Sequence, residues 1–447
     1  MKSILSRIKF VYQYIISSMG FYTTLVALSF FGLAFLMLYL ERHGLSERLL
    51  HSMPFFIITN GASARLILSS ITTGVISLTV FSFTMVMLVL NQASANFTPR
   101  VIPGLISYKS NQGVLGLYLG TLIYTLVVMV NIRSDAYSEL LPGFSIFLAM
   151  CFTILCLAFF VYFIHSISQT IQIESILESI YQVTHNRLRK DIENDKGTDM
   201  PPLFSDNQDW HYLSSPRTGY LQSLDSDAAL EVCAKHDIVL SFEQPLGSFV
   251  IRGIPFARIN KLLPDSGGFT EELLEHINFY REERPEVNYL FGFKHITESA
   301  VKALSPGIND PGTAVKAIDY LTDLFALRME LTDEKVLYDR KGTGRIRFAH
   351  ETFENVYALC LSPLRNYGKG SVIILLKLLY MLQCLLYKAS QYPQFKPVLY
   401  EQAVLLVYDA GQQIHNPGDR RKINRMLQQL NKMNALDKPL PLLSLQQ

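Results

Sequence analysis

Between Leu66 and Pro99 the chain reads LILSSITTGVISLTVFSFTMVMLVLNQASANFTP and carries no Asp, Glu, Lys or Arg. As one helix at about 1.5 Å per residue, this stretch reaches roughly 50 Å, well beyond a hydrocarbon core of about 30 Å. Such a helix crosses a membrane and carries its polar tail, Asn91 to Thr98, out into water. Ser70, Thr73, Ser77, Thr84 and Asn91 interrupt its apolar surface. Four of them, Ser70, Ser77, Thr84 and Asn91, recur every seven residues. They drift only about 20° per step and stay on one face. A polar stripe on a spanning helix faces another helix or water, and the sequence leaves both open.

The rest of the chain has to accommodate that span. Its 447 residues leave room for two or three domains. Mean hydropathy is mildly positive, too apolar for an ordinary soluble enzyme. Charged residues are sparse over the first 165 positions and concentrated after them. A net charge of +2 lacks the concentrated basic face of a nucleic-acid binder. The five cysteines, at 151, 156, 233, 360 and 384, form no CxxC pair, so reduced, buried thiols are expected rather than metal or disulfide chemistry.

Four spans follow. Lys2, Arg7 and Lys9 precede an apolar run with no small-residue cleavage site, which reads as a retained first span over Phe21 to Leu40. The third runs over about Gly113 to Val130 and the fourth over about Pro142 to His165. With the N-terminus inside, eight basic residues (Lys2, Arg7, Lys9, Arg100, Lys109, Arg187, Arg189 and Lys190) fall on the inner side. Four (Arg42, Arg48, Arg65 and Arg133) fall outside. Both termini are therefore expected in the cytoplasm. No span carries a charge in its interior, which counts against a proton- or sodium-coupled carrier.

The expected fold is an α-helical integral membrane domain of four spans plus a cytoplasmic α+β domain, with a small β module and a mainly helical remainder. Residues 1–165 form the four-span transmembrane domain, and 166–216 form an amphipathic stalk and a Pro-rich linker. The small β module covers 217–264 and the mainly helical domain 265–447. The stalk, with Ile167, Ile171, Leu177, Ile180 and Leu188 at helical spacing, packs on its own soluble domain or forms a seam between subunits. Gly247 to Phe256 resembles the hairpin of biotinyl- and lipoyl-type half-barrels, but no Met-Lys-Met occurs and the module is read as packing. The Gln-rich end around Pro439-Leu440-Pro441 reads as a frayed terminus.

Chemistry has one candidate corner, Leu304 to Ala314, LSPGINDPGTA. Asp310 followed by Pro311 suits a helix start, and the free N–H groups beside Ser305, Asn309 and Thr313 are a possible anion or ligand site. The competing reading is a well-capped helix–turn–helix corner. His295 and Glu298 lie upstream of Ser305 without a metal or triad spacing and are read as half-exposed helix positions; Arg281 to Arg284 is read as a solvated charge cluster. A second Ser-Pro pair, Ser362-Pro363, is read as ending a helix in the same way as Ser305-Pro306. Gly342-Thr343-Gly344 lacks the following Lys of a phosphate-binding loop. No catalytic residue, cofactor or metal site is assigned, and the chain is not expected to be an enzyme.

Several phrases together, FSFTMVMLVLNQASANFTPRVI, NQGVLGLYLGTLIYTLV, Phe291-Gly292-Phe293, ALSPGINDPGTA and LSPLRNYG, resemble the bacterial membrane-protein family catalogued as domain of unknown function 2254. The resemblance covers nearly the whole chain in order and implies four spans in a bacterial inner membrane with a large cytoplasmic domain. It brings no activity or site residue. The family's turn often reads Ser-Pro-Ala-x-Asn-Asp-Pro, and here Gly307 stands for the alanine.

The resulting expectation is a homo-oligomeric inner-membrane channel or pore with a cytoplasmic gating and assembly domain. Ser70, Thr73, Ser77, Thr84 and Asn91 are the lining candidates, and Gln92, Asn96 and Arg100 stand at the inner mouth. Its partners are the lipid bilayer, other copies and a permeating ion or small solute, without nucleic acid. The alternative is a non-conducting membrane sensor or scaffold binding a cytoplasmic ligand or partner.

Overall fold

The computed structural model describes residues 20–43, 60–96, 109–132, 141–170, 173–195, 210–261, 266–280, 283–433, 436 and 438–445. The chain divides into two compact units, one ending at residue 172 and the other beginning at 173, with residues 96–100 assigned to the second.

The first unit holds α1 (Phe21–Arg42), α2 (Gly61–Asn96), α3 (Lys109–Val130) and α4 (Gly143–Thr170). All four are long and apolar enough to cross a membrane. In hydrocarbon no water satisfies the backbone, so an uninterrupted helix is the structure these apolar runs are left with. α2 begins five residues before Leu66 because Asn60 caps it, its side-chain oxygen accepting from Ala62 N at 2.8 Å.

α3 is the central helix: 50% of its span is buried, against 11% for α1 and for α2. Its close approach to α1 depends on Gly116 and Gly120, one turn apart. A Cβ at Gly116 would meet Val26 at 2.9 Å, and one at Gly120 would meet Phe30 at 2.7 Å. Small residues at this spacing let two spans touch along their backbones, where dispersion replaces the missing hydrophobic drive. Charges stay at the helix ends and complement them. Glu41 accepts from Ser145 N at 2.9 Å in the first turn of α4, and Arg65 donates to Ile132 O at 2.7 Å just past α3.

The second unit begins with α5 (Ile173–Asp195), followed by β1 (His211–Ser214), β2 (Gly219–Leu224), α6 (Ser226–His236), β3 (Leu240–Phe242), β4 (Phe249–Val250), β5 (Pro255–Ile259), α7 (Ser266–Leu274) and β6 (Ile277–Tyr280). Next come α8 (Tyr289–Ala303), α9 (Pro311–Arg328), β7 (Glu334–Tyr338), β8 (Gly344–Ala349), α10 (Phe353–Gly368), α11 (Val372–Lys388), α12 (Lys396–Gln413) and α13 (Pro417–Lys432). One sheet runs β1-β5-β3-β8-β7, antiparallel except for β3 with β8; the other, antiparallel throughout, runs β4-β2-β6. Leu221, Val232, Leu240, Phe256, Phe269 and Ile346 share the core between these strands and α6 and α7.

These sheets differ from the contiguous module expected over 217–264. β1 comes from the segment read as linker, and β6, β7 and β8 from the stretch read as helical. β1, β6 and β8 are four to six residues long and pair with β5, β2 and β3 far along the chain, and local periodicity carries no sign of that pairing. Gly247 to Phe256 is not a hairpin either, since β4 and β5 belong to different sheets. Gly342-Thr343-Gly344 closes the β7–β8 hairpin: Gly342 has φ +77°, and Asp339 Oδ1 accepts from Thr343 N at 3.0 Å.

Two helical expectations also change. α10 runs through Ser362-Pro363 to Gly368 instead of ending there. Proline deprives the Leu359 carbonyl of its usual donor, and Leu359 is exposed, so water can satisfy that carbonyl. Residues 438–445 are tied down, not frayed, and the last two glutamines lie outside the described residues. Asn424 and Asn431 on α13 bracket this segment, receiving Leu443 N and Leu440 N at 2.7 Å each.

α5 lies on α8 and α9 of its own unit. Tyr181 stacks on Tyr320 at 4.6 Å and donates to Asp323 at 2.8 Å, while Tyr320 donates to Glu178. At Gly292 on α8 the missing side chain makes room for α5, because a Cβ there would overlap the side chain of Thr184. A glycine inside a helix costs about 1 kcal/mol relative to alanine in propensity, and here the contact requires it. Gly292→Ala is therefore expected to lower the melting temperature of the purified protein despite its better helix propensity. Adding Thr184→Gly should recover part of that loss; no recovery would show that α5 does not rest on this contact.

Candidate functional site

In α2 the packed face is set by Ala64, Leu68, Val75 and Ser82, all fully buried. Moving two residues along a helix rotates by about 200°. Ser70, Ser77 and Thr84 each stand two residues beyond a member of the buried set, so they point away from the other three spans. All three are exposed, as are Thr73 and Asn91. Leu66, Ile76, Val80, Phe83 and Met87 flank the stripe and are exposed with it. The stripe is therefore not glue inside this chain's own four-helix bundle.

Each hydroxyl of the stripe folds back onto its own helix. Ser70 donates to Leu66 O at 2.9 Å, Thr73 to Ser69 O at 3.0 Å, Ser77 to Thr73 O at 3.0 Å and Thr84 to Val80 O at 2.9 Å. The proton is engaged, whereas the oxygen lone pairs face outward. Such a face tolerates lipid, accepts a donor from another helix, or coordinates a cation. Gln92 and Asn96 continue α2, with side chains outside the described residues, and Arg100 lies outside them altogether.

The corner at Leu304 to Ala314 has the geometry of a capped turn. Asn309 takes φ +49°, and Asp310 N donates to Ala303 O at 2.8 Å. Asp310 caps α9, accepting from Thr313 N at 3.1 Å and Thr313 Oγ1 at 2.5 Å. Donation by Thr313 holds the Asp310 carboxyl below its ordinary range. The anion at this helix N-terminus is thus the chain's own carboxylate. Ser305 Oγ donates to Lys302 O at 2.6 Å, within the turn.

Ser305 and Pro363, 58 positions apart in sequence, line one cleft of about 420 Å³ between α8 and α10. Lys294, Glu298, Val301, Lys302, Leu359 and Tyr367 complete most of its wall. Behind it Glu283 is nearly enclosed, its side chain 3% exposed. Lys294 donates to it at 2.6 Å and Tyr220 at 2.9 Å, and His295 Nε2 stands 3.4 Å from its other oxygen. Burial pushes the Glu283 carboxyl up, but the nearby His295 and the donors from Lys294 and Tyr220 outweigh it and hold the group at about 2.

This corrects the reading of Glu283 as part of a solvated cluster and of His295 as half-exposed: both are buried. Sequence spacing could not pair Glu283 with Tyr220, 63 residues away. Arg281 and Glu282 lie outside the described residues. Cys233 and Cys360 are buried thiols pushed up to about 12 by that burial. Among the described residues no group of three or more His, Cys, Asp or Glu converges as a metal site would require.

Four spanning helices with a helical unit carrying small sheets define a membrane protein. The chain belongs to the family described as predicted membrane proteins (DUF2254), whose family model matches residues 16–384. It is 24% identical over 352 residues to uncharacterized proteins of Mycobacterium bovis and Mycobacterium tuberculosis, covering 76% of this chain and 67% of each relative. No solved structure matches it.

Glu283 gives a test of the second unit. Its folded pKa is depressed, so its contribution is present above the unfolded value of about 4.3 and is lost as pH falls from there toward 2. At pH 7 Glu283→Gln should destabilise the protein by on the order of 1–3 kcal/mol. That deficit should shrink as pH falls through this window in melts of the detergent-solubilised protein. A deficit independent of pH would mean that ionisation of Glu283 contributes nothing.

Proposed function

We propose that this protein is a homo-oligomeric channel or pore of a bacterial inner membrane, with both termini in the cytoplasm and the second unit serving gating and assembly. The observation that carries the proposal is the outward stripe of Ser70, Thr73, Ser77, Thr84 and Asn91 on a helix with only 11% of its span buried. Copies arranged with α2 toward a common axis bring these oxygens together, and lone pairs from short side chains replace part of an ion's hydration without a fixed charge. The lining is then neutral and suits an ion or a small polar solute. No catalytic role is assigned to the cleft or to the Asp310 corner.

One observation favours a non-conducting sensor or scaffold instead. Because the stripe hydroxyls are satisfied by their own carbonyls, they require no water and serve equally as contacts between helices of neighbouring copies. Asn91→Leu separates the two readings. A lining residue, when replaced, should leave the oligomer intact by cross-linking and lower conductance at least several-fold in planar bilayers. A contact residue should weaken assembly. Wild-type protein that passes no ions in liposomes under voltage, tension, pH or calcium changes would remove the channel reading.

A further inference from the structure

Six hydroxyls of α2, those of Ser70, Thr72, Thr73, Ser77, Thr79 and Thr84, bond to the carbonyl four residues earlier. Ser82 does not. It is fully buried on the opposite face, with its Oγ lacking any hydrogen-bond partner. Leu78 O occupies the same relative position as the six acceptors, so the side chain has turned from a bond that those six make. It lies within interaction range of Tyr118 on α3, whose fully buried hydroxyl is likewise without a hydrogen bond of ordinary geometry.

Two further polar groups stand beside this pair. Cys156 on α4 neighbours Tyr118, and its Sγ is 3.3 Å from Thr121 Oγ1. Thr125 donates its own proton to Thr121 O at 2.6 Å. Tyr118, Thr121 and Thr125 share one face of α3, at spacings of three and four residues. Thr121 falls at the middle of the span 112–130, and Cys156 is one residue from the middle of 143–167. The cluster therefore sits at membrane depth, surrounded by Val75, Val114, Leu117 and Phe163. Buried polar atoms are nearly always satisfied by protein or ordered water, and hydrocarbon offers neither.

We propose that Ser82, Tyr118 and the Thr121–Cys156 pair hold ordered water inside each protomer, between α2, α3 and α4. Tyr118 OH and Ser82 Oγ each donate and accept, and the thiol–hydroxyl pair supplies a further contact, which matches the roughly three hydrogen bonds a buried water makes. The site lies on the side of α2 opposite the exposed stripe and does not depend on assembly. It gives the membrane unit a polar feature besides the stripe, inside the protomer's own core.

The test is hydroxyl-radical footprinting by millisecond X-ray exposure of the full-length protein in lipid nanodiscs, where radicals form from water at the labelled side chain. Corrected for intrinsic reactivity, Tyr118 should oxidise about tenfold faster than Phe163, which is equally buried in the same cluster. Ser82→Ala should bring the Tyr118 rate down toward that of Phe163. Equal rates at Tyr118 and Phe163 in the wild type would overturn the site, and this comparison needs no variant to fold. A fast Tyr118 unchanged by Ser82→Ala would overturn the assignment of Ser82.

Discussion

Every polar group carried into hydrocarbon has to find its partner within the protein, and the membrane unit is arranged around that requirement. It makes the four apolar runs helices, and it confines Glu41 and Arg65 to helix ends where N–H and carbonyl groups are free. It also turns the stripe hydroxyls of α2 back onto their own backbone. Ser82 and Tyr118 depart from the rule, and that departure marks them out. The glycines of α3 answer a related constraint. With lipid as apolar as leucine, only close backbone contact makes helix association favourable.

The second unit obeys the opposite solvent. There burial of apolar surface drives folding, and polar groups taken inside need partners of their own. Glu283 is tolerable because a lysine and a tyrosine donate to it from two different elements, with a histidine close by. Buried Arg328 is held by Leu331 O, Glu351 O and Asp333 in the same manner. These contacts join the strand-rich half to the helical half. Gly292 and the Tyr181–Tyr320 stack then fix α5, the first helix of the unit, against the same helical layer.

Much of this was legible in the residues. Apolar runs of about 20 residues mark spans because length and composition alone decide the matter. The Asp310-Pro311 cap was legible because capping is local, needing only the residues that make it. The strands were less so: β1, β6, β7 and β8 are short, and β1, β6 and β8 take partners from distant segments. Pro363 inside α10 escaped because tertiary packing outweighs a proline's local preference when the freed carbonyl lies in the open.

The sequence by itself determined that the chain crosses a membrane, where its spans lie, and that one face of α2 is polar. Each follows from hydropathy, length or a seven-residue period, quantities that need no neighbour. Only the tertiary structure decided that this face looks outward, because burial depends on which side of a helix its neighbours occupy. It likewise brought Ser305 and Pro363 to one cleft, Glu283 to Tyr220, and Ser82 to Tyr118. Those pairs are joined by packing between elements, which no spacing along the chain encodes.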